Sequence, residues 1–463
     1  MKEKIEKIIH AVLEKVTPSP KEAMEQAQLS GKLISKIKSM EGSHLKAELV
    51  GSNSRNTNLA GDHDLDIFVF YPESLPREEF EKEGLAIGRA VFRGHEWEKA
   101  YSEHPYIRGR INGFDVEIVP AYLVSSAERI KSAVDRTLFH SEYVKNRIEK
   151  GQEQEVRLLK QFMKGVKCYG ADLSSNSFPG YVAEILIIKY GTFRAAINAV
   201  SKWGREEIID LEGSWGIHEA KNKFNSHLMV VDPVDRNRNV AAALSQNQYA
   251  RFIAAARAFL KKPSIEFFFP KPHKAWPAQK LRAFLKKTEL VMVMIGYPKG
   301  IVEDIMWGQL KRFARKVSTL CHAEGFAVKR TAEWLEHKKH LVILLEVESA
   351  KIQKAKIITG PEATDAHNSE QFLKAHKKPL AGPRIENGRW VLEVERKHTD
   401  IELLLAELLK KLKTQEREGI AKALRTHTHI MEEKDILALY RKNKEFQQFL
   451  TAYLKGEEEF LDY

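Results

Sequence analysis

The sequence predicts a multidomain α+β protein, because three different patterns follow one another along its 463 residues. Short strand-like segments and helical segments mix in residues 1–140. Helical periodicity, with apolar residues three and four positions apart, dominates residues 141–262. Strands and helices alternate again in residues 263–463, after a cluster of prolines. A length of ~150 residues per domain also suits about three domains.

The first segment is expected to fold as a small mixed α/β head. Two helices fill residues 1–40 and are separated at the Thr17-Pro18-Ser19-Pro20 sequence, where a serine can cap the second helix. Strands are expected at residues 45–50, 64–71 and about 105–120, with a helix near residues 77–92. The head therefore contains a sheet with helices packed against it.

Two carboxylates on the second strand are the most informative feature of the head. Because strand side chains alternate between faces, Asp64 and Asp66 share one face and the apolar residues beside them share the other. Two neighbouring carboxylates repel each other unless a cation lies between them, and Mg²⁺ prefers oxygen ligands. The Gly51-Ser52 turn just upstream offers N–H groups and a hydroxyl to a triphosphate. This layout predicts a nucleotidyl-transfer site.

A two-metal transfer site needs a third acidic residue from an adjacent strand. The segment at residues 111–120 supplies two candidates, Asp115 and Glu117, which share a face of the predicted strand. Alternation along the strand leaves both residues open as the third ligand.

Composition points to a polyanionic partner. The formal net charge of +12 favours RNA, although many soluble proteins are mildly basic. Two cysteines, Cys168 and Cys321, provide no disulfide framework and suit a reducing cytoplasm. The chain has no run of eighteen apolar residues, and its N-terminal sequence MKEKIEKIIHAVLEKV is typical of an amphipathic helix with charges throughout, so neither a membrane span nor a signal peptide is expected.

The string Gly51-Ser52-x-x-Arg55-x-Thr57-x-Leu59-x-Gly61-x-x-Asp64-x-Asp66 resembles nucleotidyltransferases of the polymerase-beta type. Within that superfamily it is most similar to the archaeal (class I) CCA-adding enzymes. The resemblance implies a polymerase-beta-like nucleotidyltransferase head, a mostly helical central domain for nucleotide recognition and a C-terminal α/β region that binds tRNA. It also implies template-independent addition and repair of the 3′-terminal CCA of tRNA from CTP and ATP, with Mg²⁺ and often as a homodimer.

The resemblance assigns roles to residues of the head. It implies that Ser52 and Arg55 contact the triphosphate, and that Asp64, Asp66 and a third carboxylate hold the metals. The family's third carboxylate is usually an aspartate three residues before the proline of a Val-Pro pair. Glu117 occupies that position here, so Glu117 is preferred over Asp115. The structural alternative for Arg55 is an ion pair with Asp62 or Asp64.

Further matches lie downstream. Asp135-Arg136-Thr137-x-x-His140 resembles a family element whose threonine and histidine lie near the nucleotide. Lys160 and Tyr169 match a lysine that meets phosphate and a tyrosine beside the nucleotide. Arg238, in Asp232-Pro233-Val234-Asp235-Arg236-Asn237-Arg238-Asn239-Val240, matches an arginine of the surface that selects C and A. The structural alternatives are that His140 is simply a helix-start residue, that Lys160 lies on a solvated helix face and that Tyr169 is a core aromatic.

Two other functions stay open. A poly(A)-polymerase-like or oligoadenylate-synthetase-like transferase would use the same carboxylates with a different base selection. An RNA-binding module that has lost catalysis would keep the fold. In the C-terminal region, LVMVMIGYP and HLVILLEVES are expected to be buried strands, and residues 359–385 a long loop or small excursion. That region is expected to recognise tRNA by shape and backbone.

Overall fold

The computed structural model describes residues 2–40, 45–101, 103–170, 176–271, 274–301, 303–336, 338–416 and 418–462. The chain forms two compact units. Unit 1 comprises Met1–Lys271 and Glu458–Tyr463, and unit 2 comprises Pro272–Glu457. The finer division into domains at 1–140, 141–262 and 263–463 stays a prediction.

The helices lie in both units, and within the described ranges none is long and apolar enough to cross a membrane. Their bounds are α1 Lys2–Val16, α2 Pro20–Lys38, α3 Gly51–Ser54, α4 Arg77–Val91, α5 Arg136–Arg147, α6 Gln152–Gly165, α7 Gly180–Tyr190, α8 Phe193–Val200, α9 Ile217–Phe224, α10 Gln246–Lys261, α11 Ala278–Leu285, α12 Glu303–Ala323, α13 Ala366–Ala375, α14 Ile401–Gln415, α15 Glu418–Thr426, α16 Glu433–Lys442 and α17 Lys444–Lys455.

The strands form four sheets, with the orders β1-β2-β5-β4-β3, β6-β7-β8, β10-β11-β9-β15 and β12-β14-β13. Their bounds are β1 Lys46–Leu49, β2 Asp64–Pro72, β3 Trp97–Tyr101, β4 Pro105–Ile111, β5 Phe114–Leu123, β6 Glu207–Ile209, β7 Leu228–Asp232, β8 Asp235–Asn239, β9 Glu289–Gly296, β10 Val328–Glu336, β11 His340–Val347, β12 Ala355–Glu362, β13 Ala381–Glu386, β14 Arg389–Glu395 and β15 Thr428–Met431. The α+β multidomain class is confirmed.

The five-stranded sheet forms the head of unit 1. Its strands β2 and β5 run parallel, and the predicted strand at 105–120 is a hairpin of β4 and β5. Asn112 and Gly113 turn the hairpin with positive φ of 52° and 86°, as a tight hairpin turn requires. Leu65 and Ile67 are fully buried against helices α2 and α4, so the predicted alternation along β2 is confirmed.

The rest of unit 1 is mostly helical, as predicted. Helices α6, α7, α8 and α10 surround a core that is rich in phenylalanine, with Phe162 at its centre. The sequence analysis named no strands in this region and so missed the small sheet β6-β7-β8, because its strands are short and β8 reads Asp-Arg-Asn-Arg-Asn without an apolar alternation. Phe460, near the C-terminal end of the chain, is buried in this same core.

Unit 2 is built on the antiparallel sheet β10-β11-β9-β15. Residues of β9 and β11 are buried alternately in two cores, one with α12, α14 and α15 and the other with α11, α16 and α17. Both faces are covered, which explains the unbroken apolar runs and confirms the two predicted strands. Of the two alternatives for residues 359–385, a long loop or a small excursion, the long loop was wrong, because this segment contains α13, most of β13 and the end of β12.

Candidate active site

The carboxylates meet where β2 and β5 lie side by side. In this parallel pair Asp66 is opposite Glu117, and Asp64 is opposite Asp115. The Tyr106 hydroxyl donates a hydrogen bond of 3.3 Å to Glu117 Oε1. Asp115 is exposed and lies 3.7 Å from the Arg110 guanidinium. The structure therefore places Asp64, Asp66 and Glu117 on adjacent strands, with Asp115 opposite Asp64 and also near Arg110.

Like charges in this group perturb one another. Burial and the charge of Asp64 raise the pKa of Asp66 to about 6. Burial and the charge of Asp66 raise the pKa of Glu117 to about 7, against the weaker effect of Arg108. Burial and the charge of Asp62 raise the pKa of Asp64. Oxygen donors whose negative charges are undercompensated fit a hard divalent cation.

Gly51 allows the chain to pass close to these carboxylates. Its φ is +74°, and a Cβ at this position would collide with Asp66 Oδ2. The preceding Val50 N–H donates to the Asp66 carbonyl oxygen at 2.9 Å. The short helix α3 then starts beside Asp66, where the first N–H groups of a helix have no partner within the helix. Ser52, in the first turn of α3, is half-buried.

A buried cluster of Glu184, Arg55, Thr57 and Lys160, here named the Glu184 cluster, holds the segment after α3. Arg55 donates from Nε to Glu184 Oε1 at 3.0 Å, pairs with Oε2 at 3.0 Å, and donates to Ser141 Oγ at 3.1 Å. The alternative that Arg55 pairs with Asp62 or Asp64 was wrong. Asp62 pairs instead with Lys164 at 2.9 Å.

Lys160 lies inside the same cluster and not on a solvated helix face. Its Nζ donates to the Thr57 carbonyl oxygen at 3.0 Å and lies 3.7 Å from Glu184 Oε1. Burial lowers the pKa of Lys160 to about 8, against the opposing charge of Glu184. Burial alone would raise the pKa of Glu184, but the charges of Arg55 and Lys160 outweigh it and the pKa is lowered.

The segment after α3 is also tied to the central helices at two further points. Arg157 of α6 donates to the carbonyl oxygens of Asn58 at 2.8 Å and Asn56 at 2.7 Å. Tyr169 and Lys160 both approach Gly180. A Cβ atom placed on Gly180 would lie 2.8 Å from the Tyr169 hydroxyl and 3.6 Å from Lys160 Cε, so the two side chains are neighbours. Burial raises the pKa of Tyr169. Residues 55–58 are thus fixed against α6 and α7.

A second buried carboxylate joins two predicted motifs. Asp232 Oδ2 lies 2.8 Å from His140 Nε2 and accepts a hydrogen bond of 2.8 Å from Arg238 NH1. The His140 ring also packs on Tyr181, with 4.3 Å between centroids. Burial would raise the pKa of Asp232, but the hydrogen bonds and charges of His140 and Arg238 outweigh it and lower the pKa. Asp232, His140 and Arg238 are named the Asp232 cluster.

A second ion pair fastens the same two motifs. Arg136 donates from Nε to Asp235 Oδ2 at 3.0 Å. Thr137 lies in the first turn of α5, three residues before His140, and is half-buried. These contacts join the Asp135–His140 element to the Asp232–Val240 element, although His140 and Asp232 are 92 residues apart in the chain. The two elements therefore form one wall.

Comparison with known proteins supplies the family. The family description "Nucleotidyltransferase domain" matches residues 31–140, "tRNA nucleotidyltransferase, second domain" matches 154–269, and "CCA-adding enzyme, C-terminal domain" matches 286–433. The CCA-adding enzyme of Methanosarcina mazei is 35% identical over 453 residues, which cover 96% of this chain and 97% of that protein. This chain belongs to the CCA-adding enzyme family.

Other relatives agree. The CCA-adding enzyme of Archaeoglobus fulgidus is 34% identical over 92% of this chain and 91% of its own length. Among solved structures, E. coli MS115-1 CdnC with ATP aligns with 57% of this chain and 94% of that chain, at a TM-score of 0.43 and 19% identity. That last likeness is too remote to say anything of substrate. The polymerase-beta-type nucleotidyltransferase assignment and the enzyme class are confirmed by the family matches.

In this member of the CCA-adding enzyme family, sequence reasoning missed two site residues. Glu184 is fully buried and Asp232 is fully buried, and each binds two of the predicted site residues. A signal for Glu184 was present, because it is the only acidic residue in the apolar segment Gly-Tyr-Val-Ala-Glu-Ile-Leu-Ile-Ile. Asp232 was visible in a motif but had no assigned role.

Proposed function

We propose that this chain builds and repairs the 3′-terminal CCA of tRNA from CTP and ATP, without a template, with release of pyrophosphate. The 3′-hydroxyl oxygen of the RNA forms a bond to the α-phosphorus as the bond between that phosphorus and the pyrophosphate oxygen breaks. The observation that carries the proposal is the pairing of Asp66 with Glu117 beside Gly51, in a chain of the CCA-adding enzyme family.

Asp64, Asp66 and Glu117 would hold Mg²⁺. The raised pKa values of these carboxylates support this assignment, because a cation would compensate their mutual repulsion. When bound, such ions lower the pKa of an attacking hydroxyl and stabilise the leaving oxygen. Within the described ranges, no group of three His, Cys, Asp or Glu side chains is already arranged around an ion position. Glu117 is preferred to Asp115, because Glu117 lies opposite Asp66 and burial together with the Asp66 charge raises the pKa of Glu117, whereas Asp115 faces Arg110.

The nucleotide would lie between α3 and the wall made by α5 and β8. Ser52 and the first N–H groups of α3 would contact the triphosphate, with Thr137 and His140 beside the nucleotide and Tyr169 near it. Arg238 would present guanidinium N–H groups to the acceptor edges of cytosine and adenine. The contacts of Arg55 and Lys160 with Glu184 support a role in holding residues 51–58, and direct phosphate contact by either stays a prediction.

The remaining partners follow from the family. Unit 2, which contains all of the residues that match the C-terminal domain of CCA-adding enzymes, would recognise the backbone and shape of tRNA. A homodimer and a cytoplasmic location stay predictions.

The deciding experiment offers the purified chain a tRNA transcript lacking CCA, with Mg²⁺ and each labelled nucleotide, singly and together. Addition of C, C and then A is expected. Asp66→Ala should reduce the rate by about 10³-fold or more, because it removes the central carboxylate, while tRNA binding is retained. Asp115→Asn is the matched control and should stay within about twofold of wild type. Long A tails would indicate the polymerase alternative, and no incorporation with tight tRNA binding would indicate a binding module.

A further inference from the structure

Two cations near the Asp232 cluster, Lys223 and Arg236, lie on one aromatic ring. Arg236 is exposed on β8, and its guanidinium carbon lies 4.3 Å from the ring centroid of Trp215. Lys223 of α9 places Nζ 4.8 Å from the same ring. In the part of the chain that the structure describes, neither cation forms an ion pair with a carboxylate. We name Trp215, Lys223 and Arg236 the Trp215 patch.

Neighbouring cations differ from those of the patch in this respect. Arg238 pairs with Asp232 at 2.8 Å, Arg136 pairs with Asp235 at 2.9 Å, and Lys221 pairs with Glu206 at 3.0 Å. The remaining acids beside Trp215 accept main-chain hydrogen bonds, Asp210 from the Trp215 N–H and Glu219 from the Gly216 N–H, both at 3.0 Å, and among the described residues neither forms an ion pair with Lys223 or Arg236. Two uncompensated positive charges on one aromatic ring favour an anionic ligand.

The patch is held in a fixed arrangement by its own main chain. The Trp215 indole N–H donates to the Arg236 carbonyl oxygen at 2.6 Å. Arg236 NH2 returns a hydrogen bond to the Ser214 carbonyl oxygen at 2.9 Å. These two bonds fix the guanidinium and the indole relative to each other before any ligand binds, so that less entropy is lost on binding.

Chain proximity places the patch beside the site. Arg236 and Arg238 are two residues apart on β8, in the segment 236–238 that the irregular pairing of β8 with β7 leaves between the paired residues Asp235 and Asn239. Arg238 reaches Asp232 and His140, and Arg236 reaches Trp215. A ligand that passes Arg238 along β8 therefore meets an indole and two cations next.

We propose that the Trp215 patch binds the single-stranded 3′ end of the RNA substrate, a role that rests on the proposed function. A single RNA strand presents phosphates and unstacked bases, and proteins bind such strands by cations together with aromatic rings that stack on bases. A guanidinium plane on an indole supplies both kinds of contact. The proposal commits to RNA and not to the incoming nucleotide, whose base is assigned to Arg238.

The test measures KM for a tRNA ending in CC, with ATP as the second substrate, at several salt concentrations. Arg236→Ala should raise the KM for tRNA about tenfold and reduce the salt dependence by about one ion. Arg236→Lys should keep the salt dependence but raise KM, because lysine lacks the planar group. Trp215→Ala should raise KM without changing the salt dependence. The kcat and the KM for ATP should stay within about twofold, since no catalytic residue is changed.

Arg194→Ala is the matched control, because Arg194 is another exposed arginine of unit 1, paired with Glu6 at 3.7 Å. It should leave all these quantities unchanged. A blunt acceptor minihelix without a 3′ extension supplies the second arm, and its binding by Arg236→Ala should equal its binding by wild type.

The inference fails if Arg236→Ala leaves the KM for tRNA within twofold, if the change appears in the KM for ATP, or if blunt and extended RNA lose affinity equally. Failure of the proposed function has another signature, which is a wild-type protein that adds no nucleotide. In that case fluorescence anisotropy with extended and blunt RNA still decides the patch, since a loss with Arg236→Ala for extended RNA alone supports it. Because Arg236 is exposed, its variants also test the patch if Trp215→Ala does not fold.

Discussion

The carboxylates of β2 and β5 lie in the same unit as Glu184, but their surroundings shift the carboxylate pKa in opposite directions. Asp66 and Glu117 face each other, and their pKa values are raised to about 6 and about 7. Glu184 is more deeply buried, yet its pKa is lowered, because Arg55 and Lys160 surround it. Asp232 resembles Glu184 in this respect.

The difference separates buried carboxylates that already have cationic partners from carboxylates whose charges a bound cation would compensate. A buried carboxylate surrounded by cations and hydrogen-bond donors is satisfied, and its removal leaves those donors unpaired. A group of like charges has free energy to gain from a cation. In this chain the satisfied carboxylates fix loops and helices, and the unsatisfied ones lie where the proposed chemistry takes place.

Removal of the Glu184 charge should have the largest effect on stability. Glu184→Gln leaves Arg55 and Lys160 buried without an anion, so the free energy of unfolding should fall by about 3 kcal/mol. Urea unfolding followed by circular dichroism measures this. Glu212→Gln is the control, because Glu212 pairs with Arg147 at the surface and should lose less than about 1 kcal/mol. Equal losses in the two variants would refute the difference between them.

The third metal ligand can be identified by a matched pair of variants. Glu117→Gln should reduce the rate of nucleotide addition about 10²-fold, because an amide coordinates Mg²⁺ more weakly than a carboxylate does. Asp115→Asn should change the rate by less than about twofold, since Asp115 is exposed and faces Arg110. Single-turnover rates at saturating Mg²⁺ give the comparison. The reverse ranking would make Asp115 the ligand.

Asp232 should affect selection more than stability. In Asp232→Asn, the single amide oxygen can accept from His140 and Arg238 only if the NH₂ group takes the place of the second carboxylate oxygen. The NH₂ group would then lie near other donors. We expect kcat/KM for CTP and ATP to fall about tenfold and discrimination against GTP and UTP to weaken. Asp235→Asn disturbs the pair with Arg136 and leaves the contacts of His140 and Arg238 with Asp232 in place, so it serves as the control. Unchanged discrimination in Asp232→Asn would show that Asp232 does not position Arg238.

The smallest expected effect is a gain in stability. The pKa of Asp66 is about 6 in the folded chain and 3.8 for an ordinary aspartate. The folded state therefore binds more protons between these values, and this group's contribution to stability falls as pH rises through that window. At about pH 8 with EDTA, Asp66→Asn should be more stable than wild type by about 1 kcal/mol, and at about pH 4 the advantage should disappear.

Added Mg²⁺ gives the companion measurement. It should raise the unfolding midpoint of wild type and leave Asp66→Asn unchanged, because the ion binds the folded carboxylates. A variant that is less stable than wild type at both pH values would contradict the repulsion inferred between Asp66 and its neighbours.

Local sequence patterns were sufficient to predict features that depend only on residues close together in the chain. Alternation along 64–67 predicted which side chains are buried, since neighbouring side chains of a strand must point to opposite faces. The unbroken apolar runs predicted the strands that are covered on both faces in unit 2. The strands within residues 359–385 were not predicted, because they are short and polar and carry no strong periodic signal.

The sequence by itself determined the head, the carboxylate pair and the family resemblance, because these depend on spacing within a short stretch of chain. Only the tertiary structure decided which charges are paired. Arg55 meets Glu184 across 129 residues, and His140 meets Asp232 across 92. No local rule selects such partners, since ion pairs inside a protein depend on which helices the whole core brings together. The same packing left Asp66 and Glu117 side by side without enough positive charge to compensate them, which is why we propose that they bind a cation.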